Sequence, residues 1–151
     1  MNKHSPASAI PLATTVGDLR LVVGRLKRRM REEVGSGGLT WSQISVLGHL
    51  DREGPATVTA LARAEGVRPQ SMGATVAALE GAGMLAGEPH PTDRRQVLLS
   101  LTPAAREWIK ASRTAREDWL LHVIQGRLSP AEQKQFARGV ELLKRLVDAW
   151  Q

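Results

Sequence analysis

Apolar side chains recur along this chain at helical spacing in several segments, with one interruption past the middle. Over residues 13–34 they recur at steps of three and four, which predicts an amphipathic helix with a basic opposite face. The interruption lies at residues 84–101, where two short apolar runs flank a proline-rich turn, which predicts a pair of strands. In chain order, the predicted helices cover residues 13–34, 40–50, 59–65, 69–81, 103–126 and 130–150, and the predicted strands cover residues 84–88 and 96–101.

Side chains that satisfy the first amides of a helix mark where two of these helices begin. Thr40 with Gln43, and Ser129 with Glu132, have the spacing of a capping box, in which each side chain bonds the other residue's amide. These signals predict helix starts at residues 40 and 129. The polar segment 51–55 predicts the end of the helix that begins at Thr40.

The chain next carries the signals of two helices joined by a tight turn. Residues 57–58 predict a minimal strand, and Thr59 is expected to cap a short helix that ends at Glu65. Gly66 predicts a turn with positive φ, and Pro69 suits the first position of the following helix. Because a predicted hairpin comes directly afterwards, the order predicts a winged helix-turn-helix, a fold that holds DNA with one helix in the major groove.

The helix that begins at Pro69 is the candidate recognition helix. Its predicted buried stripe is Met72, Val76 and Leu79. The outer face is small and polar: Gln70 suits adenine, Ala74 suits a thymine methyl group, and the Ser71 and Thr75 hydroxyls suit bases or phosphates. An ordinary surface helix is the alternative interpretation. The candidate DNA-contacting residues here are Arg68, Pro69, Gln70, Ser71, Gly73, Ala74 and Thr75.

The tip of the predicted hairpin reads Asp93-Arg94-Arg95 and is the second candidate DNA contact. The spacing predicts that the Asp93 carboxylate braces the Arg95 guanidinium, so that this side chain points away from the loop. A narrow minor groove accepts such a group. Three charges in a turn are otherwise most often only solvated, and the position after a recognition helix is what favours the functional interpretation.

Net charge agrees only weakly with a DNA partner. The chain carries 21 Lys and Arg against 15 Asp and Glu, a formal net charge of +6. The segment 60–100, however, holds four basic residues against four acidic ones, and the excess lies in the flanking helices. We therefore expect specificity to depend on a few placed side chains, with long-range attraction supplied by the flanks.

Several classes of protein are excluded or disfavoured by what the sequence lacks. There is no cysteine, which rules out disulfides and thiol sensing. No apolar run has the length of a membrane span or of a signal-peptide core, so a cytoplasmic location without membrane partners is expected. The scattered histidines form no nucleophile or metal pattern, and Asp118 with His122 would supply only two ligands. We expect no catalysis, no metal and no cofactor.

The order and spacing of these pieces resemble the MarR family of bacterial regulators, over roughly residues 13–151. The matching residues are Leu39-Thr40 with Gln43 and Leu47, Leu61-Ala62, Gly66-Val67, Leu79-Glu80 with Gly83-Met84-Leu85, and Asp93-Arg94-Arg95 leading to Leu99-Ser100-Leu101-Thr102. The run from the wing to Leu101-Thr102 is the most specific part. Each fragment alone is weak evidence, whereas their order together is strong.

The resemblance implies a homodimer whose first and last helices interlock and whose two winged domains read a pseudo-palindromic site in double-stranded DNA. It also implies that Asp93 orients the wing, Arg95 enters the minor groove and Arg94 contacts phosphate. Two residues depart from the family pattern. Arg68 stands where many relatives have a serine or threonine cap, which suggests a phosphate contact instead, and Ala105 replaces a common glycine.

The expected architecture is mainly α with a small β-hairpin wing. Residues 1–12 are expected to form a mobile arm, 38–102 the winged domain, and 13–37 with 103–151 a helical dimerisation region, because their long apolar stripes exceed what a small winged domain covers. The predicted function is a homodimeric repressor released by a small, aromatic effector. The alternative is an architectural or protein-interaction module that binds DNA without sequence choice. Candidate edges of an effector pocket are Trp41, His49 and Trp108.

Overall fold

The structure is a computed structural model that describes residues 11–149 and separates into two compact units, residues 1–35 and 36–151. The described part of the first unit is one helix, α1 (Leu12–Val34). It begins one residue before the predicted start and ends where Gly35 takes a positive φ of 73°. Leu12, assigned above to the arm, is therefore helical, and the rest of the predicted arm up to residue 10 lies outside the described residues.

The second unit contains the remaining described elements. They are α2 (Trp41–Glu53), α3 (Val58–Glu65), α4 (Pro69–Gly81), β1 (Leu85–Pro89), β2 (Val97–Leu101), α5 (Pro103–Arg127) and α6 (Pro130–Asp148). The strands form an antiparallel hairpin in which Leu85 pairs with Leu101 and Pro89 pairs with Val97. The predicted fold class, mainly helical with one small hairpin, is confirmed.

Both predicted capping boxes are present. The Thr40 hydroxyl accepts the Gln43 amide hydrogen at 3.2 Å, and the Gln43 side chain accepts the Thr40 amide hydrogen at 2.8 Å. Ser129 and Glu132 form the same pair at the start of α6. Because the Glu132 carboxylate accepts the Ser129 amide hydrogen, the pKa of Glu132 lies below its usual value. These local bonds explain why both helices begin where the sequence predicts.

Two predicted boundaries are wrong. Thr57, not Thr59, caps α3, since its hydroxyl accepts the Ala60 amide hydrogen at 3.2 Å. The minimal strand expected at residues 57–58 is instead a single bridge between Ala56 and Leu99, and Val58 is already helical. Thr57 and Thr59 lie two residues apart, and either could cap a helix. The bridge from Ala56 to the distant strand β2 places Thr57 at the start of α3.

The second wrong boundary is the end of α2, which continues through the polar residues 51–53 to Gly54. Gly54 adopts a φ of 85° and ends the helix. Charged residues are compatible with an exposed last turn, so polarity alone does not stop a helix there. Asp51 moreover pairs with Arg113 of α5 at 3.0 Å, which gives that last turn a partner.

One hydrophobic core joins α2, α3, α4, the hairpin and the start of α5. Its buried members are Val46, Leu47, Leu50, Leu61, Ala62, Met72, Val76, Leu79, Leu85, Leu99, Leu101 and Ala105. The predicted buried stripe of α4 is confirmed. In α2 the residues Val46, Leu47 and Leu50 are buried, whereas Ile44 is only half-buried. Core packing thus fixes how the helix-turn-helix is assembled.

The helices outside this core keep apolar side chains exposed. On α6 these are Phe136, Leu142, Leu143, Leu146 and Val147. On α1 they include Leu12, Val16, Leu19, Leu21, Val22 and Val23. Trp150, at the predicted end of the last helix, lies outside the described residues. Between residues 11 and 149, no helix is both long and apolar enough to cross a membrane.

Candidate nucleic-acid interface

A left-handed residue makes the turn between α3 and α4. Gly66 has φ 66° and ψ 31°, and its amide donates to the carbonyl of Arg63 at 3.3 Å. The next amide, that of Val67, donates to the carbonyl of Ala62 at 3.0 Å, which closes the end of α3. Arg68 is then extended, and α4 begins at Pro69. The predicted turn is therefore present, with glycine at the position that requires positive φ.

A hydrogen bond between α2 and α3 was not foreseen from the sequence. The Ser45 hydroxyl donates to a carboxylate oxygen of Glu65 at 2.5 Å, and the pair is partly buried. It adds a polar link to the apolar packing between these two helices. The residues lie 20 positions apart, so no local pattern indicates the pair.

The outer face of α4 has the small, polar character expected of a helix in a major groove. Gln70, Ser71 and Ala74 are exposed, whereas Gly73 and Thr75 are half-buried. The Thr75 hydroxyl donates to the backbone carbonyl of Ser71 at 3.2 Å, so its hydrogen is used within the helix. Only the acceptor side of that hydroxyl remains for an outside partner, which narrows the role predicted for Thr75.

The start of α4 is suited to an anion. Its first turn contains no acidic residue, Pro69 occupies the first position, and the side chain of Arg68 makes no cap bond. The unbonded amides and the helix dipole make a helix start attractive to phosphate. The Arg68 guanidinium has no acceptor and cannot cap the helix amides, but as an exposed donor it can contact a phosphate at the helix start, as the departure from a serine or threonine cap suggested.

The Asp93 carboxylate holds the backbone of the wing rather than a guanidinium. One oxygen accepts the Arg95 amide hydrogen at 3.1 Å, and the other accepts from the Gln96 side chain at 3.3 Å. The predicted brace between Asp93 and the Arg95 guanidinium is therefore wrong: no such ion pair occurs among the described residues. A carboxylate reaches the amide two residues ahead more easily than a long flexible side chain, as in an Asx turn.

His90 is a second organiser of the wing, and the sequence analysis missed it. Its Nδ1 accepts from the amides of Thr92 and Asp93, each at 3.3 Å, and its own amide donates to the Gln96 carbonyl at 3.0 Å. Nδ1 is thus the accepting atom of the ring in this turn. Proximity was the one available signal, because His90 lies only two and three residues before the amides that it bonds.

Residues 60–100 contain equal numbers of basic and acidic residues, but more of the basic side chains are available to an outside partner. The arginines between residues 60 and 100 are Arg63, Arg68, Arg94 and Arg95, all exposed. Among the described residues none of these four takes part in an ion pair. Of the acidic residues, Glu65 is hydrogen-bonded within the helix packing and Asp93 within the wing. The four arginines are thus available to an outside partner, against only two exposed acidic side chains, Glu80 and Glu88, that are also in no ion pair within the described part of the chain.

A helix-turn-helix of this geometry, followed by an arginine-tipped hairpin, defines a winged-helix DNA-binding protein. Residues 37–96 match the model of the MarR family. The chain is also 39% identical over 136 residues to an uncharacterised HTH-type transcriptional regulator of Mycobacterium bovis, covering 90% of this chain and 94% of that relative. The protein belongs to the MarR family and is a DNA-binding transcriptional regulator.

Solved structures agree with the fold. The transcriptional regulator Tm0710 of Thermotoga maritima superposes with a TM-score of 0.81 at 24% identity, covering 91% of this chain and 96% of that one, which supports the fold. A second structure concerns regulation of the DNA binding of Bordetella bronchiseptica BpsR by 6-hydroxynicotinic acid. It matches with a TM-score of 0.54 at 26% identity, over 86% of this chain and 90% of that one.

The Asp93 bonds predict a graded effect on the wing. In an Asp93→Ala variant the Arg95 amide should exchange its hydrogen at least about tenfold faster, because a charge-assisted hydrogen bond contributes about 1.5–3 kcal/mol. Asp93→Asn keeps one acceptor oxygen, so its Arg95 amide should exchange at a rate between those of Asp93→Ala and the wild type. Amide exchange followed by NMR without DNA measures this. Equal exchange rates in all three proteins would contradict the role of the carboxylate.

Proposed function

We propose that this regulator is a homodimeric repressor that reads a pseudo-palindromic operator and is released by a small-molecule effector. The observation that carries the proposal is the pairing of a recognition helix with a hydrogen-bonded, arginine-tipped wing in one packed unit. Two such units related by two-fold symmetry require two half-sites of matching symmetry. The proposal therefore predicts both the kind of DNA site and the oligomeric state.

In this proposal α4 lies in the major groove with its small outer face against the bases. Gln70 is suited to a bidentate contact with adenine, and Ala74 is suited to a thymine methyl group. Ser71 contributes a hydroxyl, and Thr75 contributes an acceptor only, because its hydrogen bonds the Ser71 carbonyl. Gly73 adds no side chain that would hold the helix away from the groove. Pro69 and Arg68 lie at the helix start, beside the phosphates.

The wing supplies the second contact. Arg95 is proposed to enter the minor groove and Arg94 to contact phosphate, while Asp93 orients both by holding the loop backbone. A guanidinium in a narrow minor groove reads the groove's shape and negative potential rather than a unique base pattern. The wing would then add affinity and a preference for A·T-rich flanks to the base contacts made by α4.

The exposed apolar side chains favour a dimer. On α6, Phe136, Leu143 and Val147 lie within one narrow stripe of the helix, since steps of 3.6 residues complete a turn. All three are exposed. We propose that residues 13–37 and 103–151 form the dimerisation region, in which the apolar faces of α1 and α6 are covered by a second copy. Residues 38–102 would then be the DNA-binding domain of each subunit.

Release by an effector is supported by the regulation described for BpsR. A ligand that binds one arrangement of the dimer more tightly shifts the population away from the DNA-binding one. Of the candidate pocket edges, Trp41 is 48% exposed, whereas His49 and Trp108 are half-buried. The Trp108 indole lies against the backbone of Gly37, where an added Cβ would be 2.8 Å from its Nε1. Trp108 therefore packs at the loop before α2.

Replacing Arg95 by alanine separates a specific repressor from an architectural DNA binder. Affinity for a duplex selected by the wild-type protein should fall about tenfold or more, equivalent to about 1.4 kcal/mol, because the narrow minor groove of its A·T-rich flank loses the guanidinium. Affinity for a scrambled duplex should change far less. The measurement is fluorescence anisotropy at fixed salt, with Arg138→Ala of α6 as the control. Equal weakening on both duplexes would favour the architectural alternative.

A charge introduced into the α6 stripe tests the dimer. Leu143→Glu should shift the protein from dimer to monomer in sedimentation velocity at micromolar concentration, because the interface would have to bury an unpaired carboxylate. Arg145→Gln is the matched control: it changes the net charge by the same amount, two residues further on and about 200° around the helix. Monomerisation by both variants, or by neither, would contradict the proposed interface.

Effector release predicts a loss of operator affinity on adding an aromatic acid. With 6-hydroxynicotinic acid as the first probe, and nicotinic and benzoic acids as ring analogues, at least one should raise the apparent Kd for the selected duplex about fivefold or more, within the usual range of allosteric coupling. Acetate at the same concentration controls for ionic strength. An unchanged Kd with every aromatic acid would contradict release by this class of effector.

A further inference from the structure

Thr102 makes more bonds than a helix cap requires. Its hydroxyl accepts the Ala105 amide hydrogen at 3.2 Å, which is the ordinary cap of α5. The same hydroxyl donates to the carbonyl of Gly83 at 2.6 Å, although the two residues lie 19 positions apart. The Thr102 amide also donates to the carbonyl of Met84 at 3.1 Å. One residue thus bonds both the start of α5 and the segment between α4 and β1.

The segment that Thr102 holds is itself fastened to the recognition helix. The amide of Gly83 donates to the Glu80 carbonyl at 3.0 Å, and the amide of Met84 donates to the Leu79 carbonyl at 2.9 Å. Gly83 has a φ of 72°, which lets the chain reverse directly after α4. A continuous set of hydrogen bonds therefore runs from the last turn of α4, through Gly83 and the Thr102 hydroxyl, to the first turn of α5.

The surroundings make this junction stiff. Leu101, just before Thr102, pairs with Leu85 in the hairpin, and both are buried. Ala105, in the first turn of α5, has no exposed surface. Because Leu101 and Ala105 are packed in the core and Thr102 is bonded to Gly83 and Met84, a movement of the start of α5 would be transmitted to the end of α4 and the root of the wing. The end of α4, the root of the wing and the start of α5 should move as one body.

We propose that Thr102 is a positioning residue that sets the recognition helix relative to α5, and thereby the distance between the two recognition helices of the dimer. This inference rests on the proposed dimeric function, in which α5 belongs to the dimerisation region. The hydroxyl has two separable parts in this role. Its acceptor caps α5, and its donor, directed at the Gly83 carbonyl, joins α5 to the DNA-reading elements.

Three substitutions separate these parts. Thr102→Ser keeps donor and acceptor, Thr102→Val keeps the shape of the side chain but loses both, and Thr102→Asp keeps a cap acceptor but cannot donate to Gly83 when ionised. Arg113→Gln serves as the control, because it removes an exposed ion pair between α5 and Asp51 without touching the Thr102 junction. Full-length protein is used throughout, with circular dichroism melting as a check of folding.

The readout is preference for half-site spacing. Duplexes carry the selected half-sites at their natural spacing, or with one base pair inserted or removed, which rotates one half-site by about 35°. The wild type, Thr102→Ser and Arg113→Gln should favour the natural spacing by about tenfold or more, equivalent to about 1.4 kcal/mol. Thr102→Val and Thr102→Asp should favour it less than about threefold, with affinity for a single half-site within about twofold of the wild type.

Other outcomes overturn the inference in distinguishable ways. If Thr102→Val weakens every duplex evenly and keeps the spacing preference, Thr102 is only a structural cap. If the valine variant does not fold, the aspartate variant decides, because it retains the cap: spacing preference kept by that variant refutes the positioning role. If the wild type itself shows no spacing preference, the dimeric operator proposal fails and the positioning role fails with it.

Discussion

The packing of Met72, Val76 and Leu79 into the core decides which way α4 presents its other residues. A helix repeats every 3.6 residues, so burying one stripe fixes the rotation of the whole helix. Gln70 and Ala74 face outward because of those three contacts. A rotation by one residue would instead turn either Ser71, Thr75 and Ala78 or Gly73, Ala77 and Glu80 toward the core. The polar contacts of the winged unit act on a helix whose orientation the apolar core has already determined.

Hydrogen bonds between distant residues then set the neighbours of α4 around it. Ser45 bonds Glu65 across α2 and α3, and Ala56 bridges Leu99 of the hairpin. Within the wing, the bonds of His90 and Asp93 hold the loop that carries the two arginines. Apolar burial provides most of the stabilisation in such a small domain, whereas these directional bonds give the relative placement that DNA recognition requires.

Local signals predicted the fold well because their physical causes are local. Thr40 caps its helix through a residue three positions away, and Gly66 meets a requirement of its own backbone. The errors share the opposite cause. Thr57 caps α3 in place of the predicted Thr59, because a bridge joins the neighbouring Ala56 to the distant hairpin. Asp93 bonds an amide because the backbone lies nearer than a guanidinium, a choice that sequence spacing alone does not decide.

The central claim is that one packed unit, repeated in a dimer, reads a two-fold DNA site. Its most direct test is selection of fragments of the source genome by the full-length protein at near-physiological salt, followed by sequencing of the retained DNA. We expect enrichment of a pseudo-palindrome with half-site centres about 10 base pairs apart. Even recovery of all fragments, with a steep loss of binding as salt rises, would contradict sequence-specific recognition.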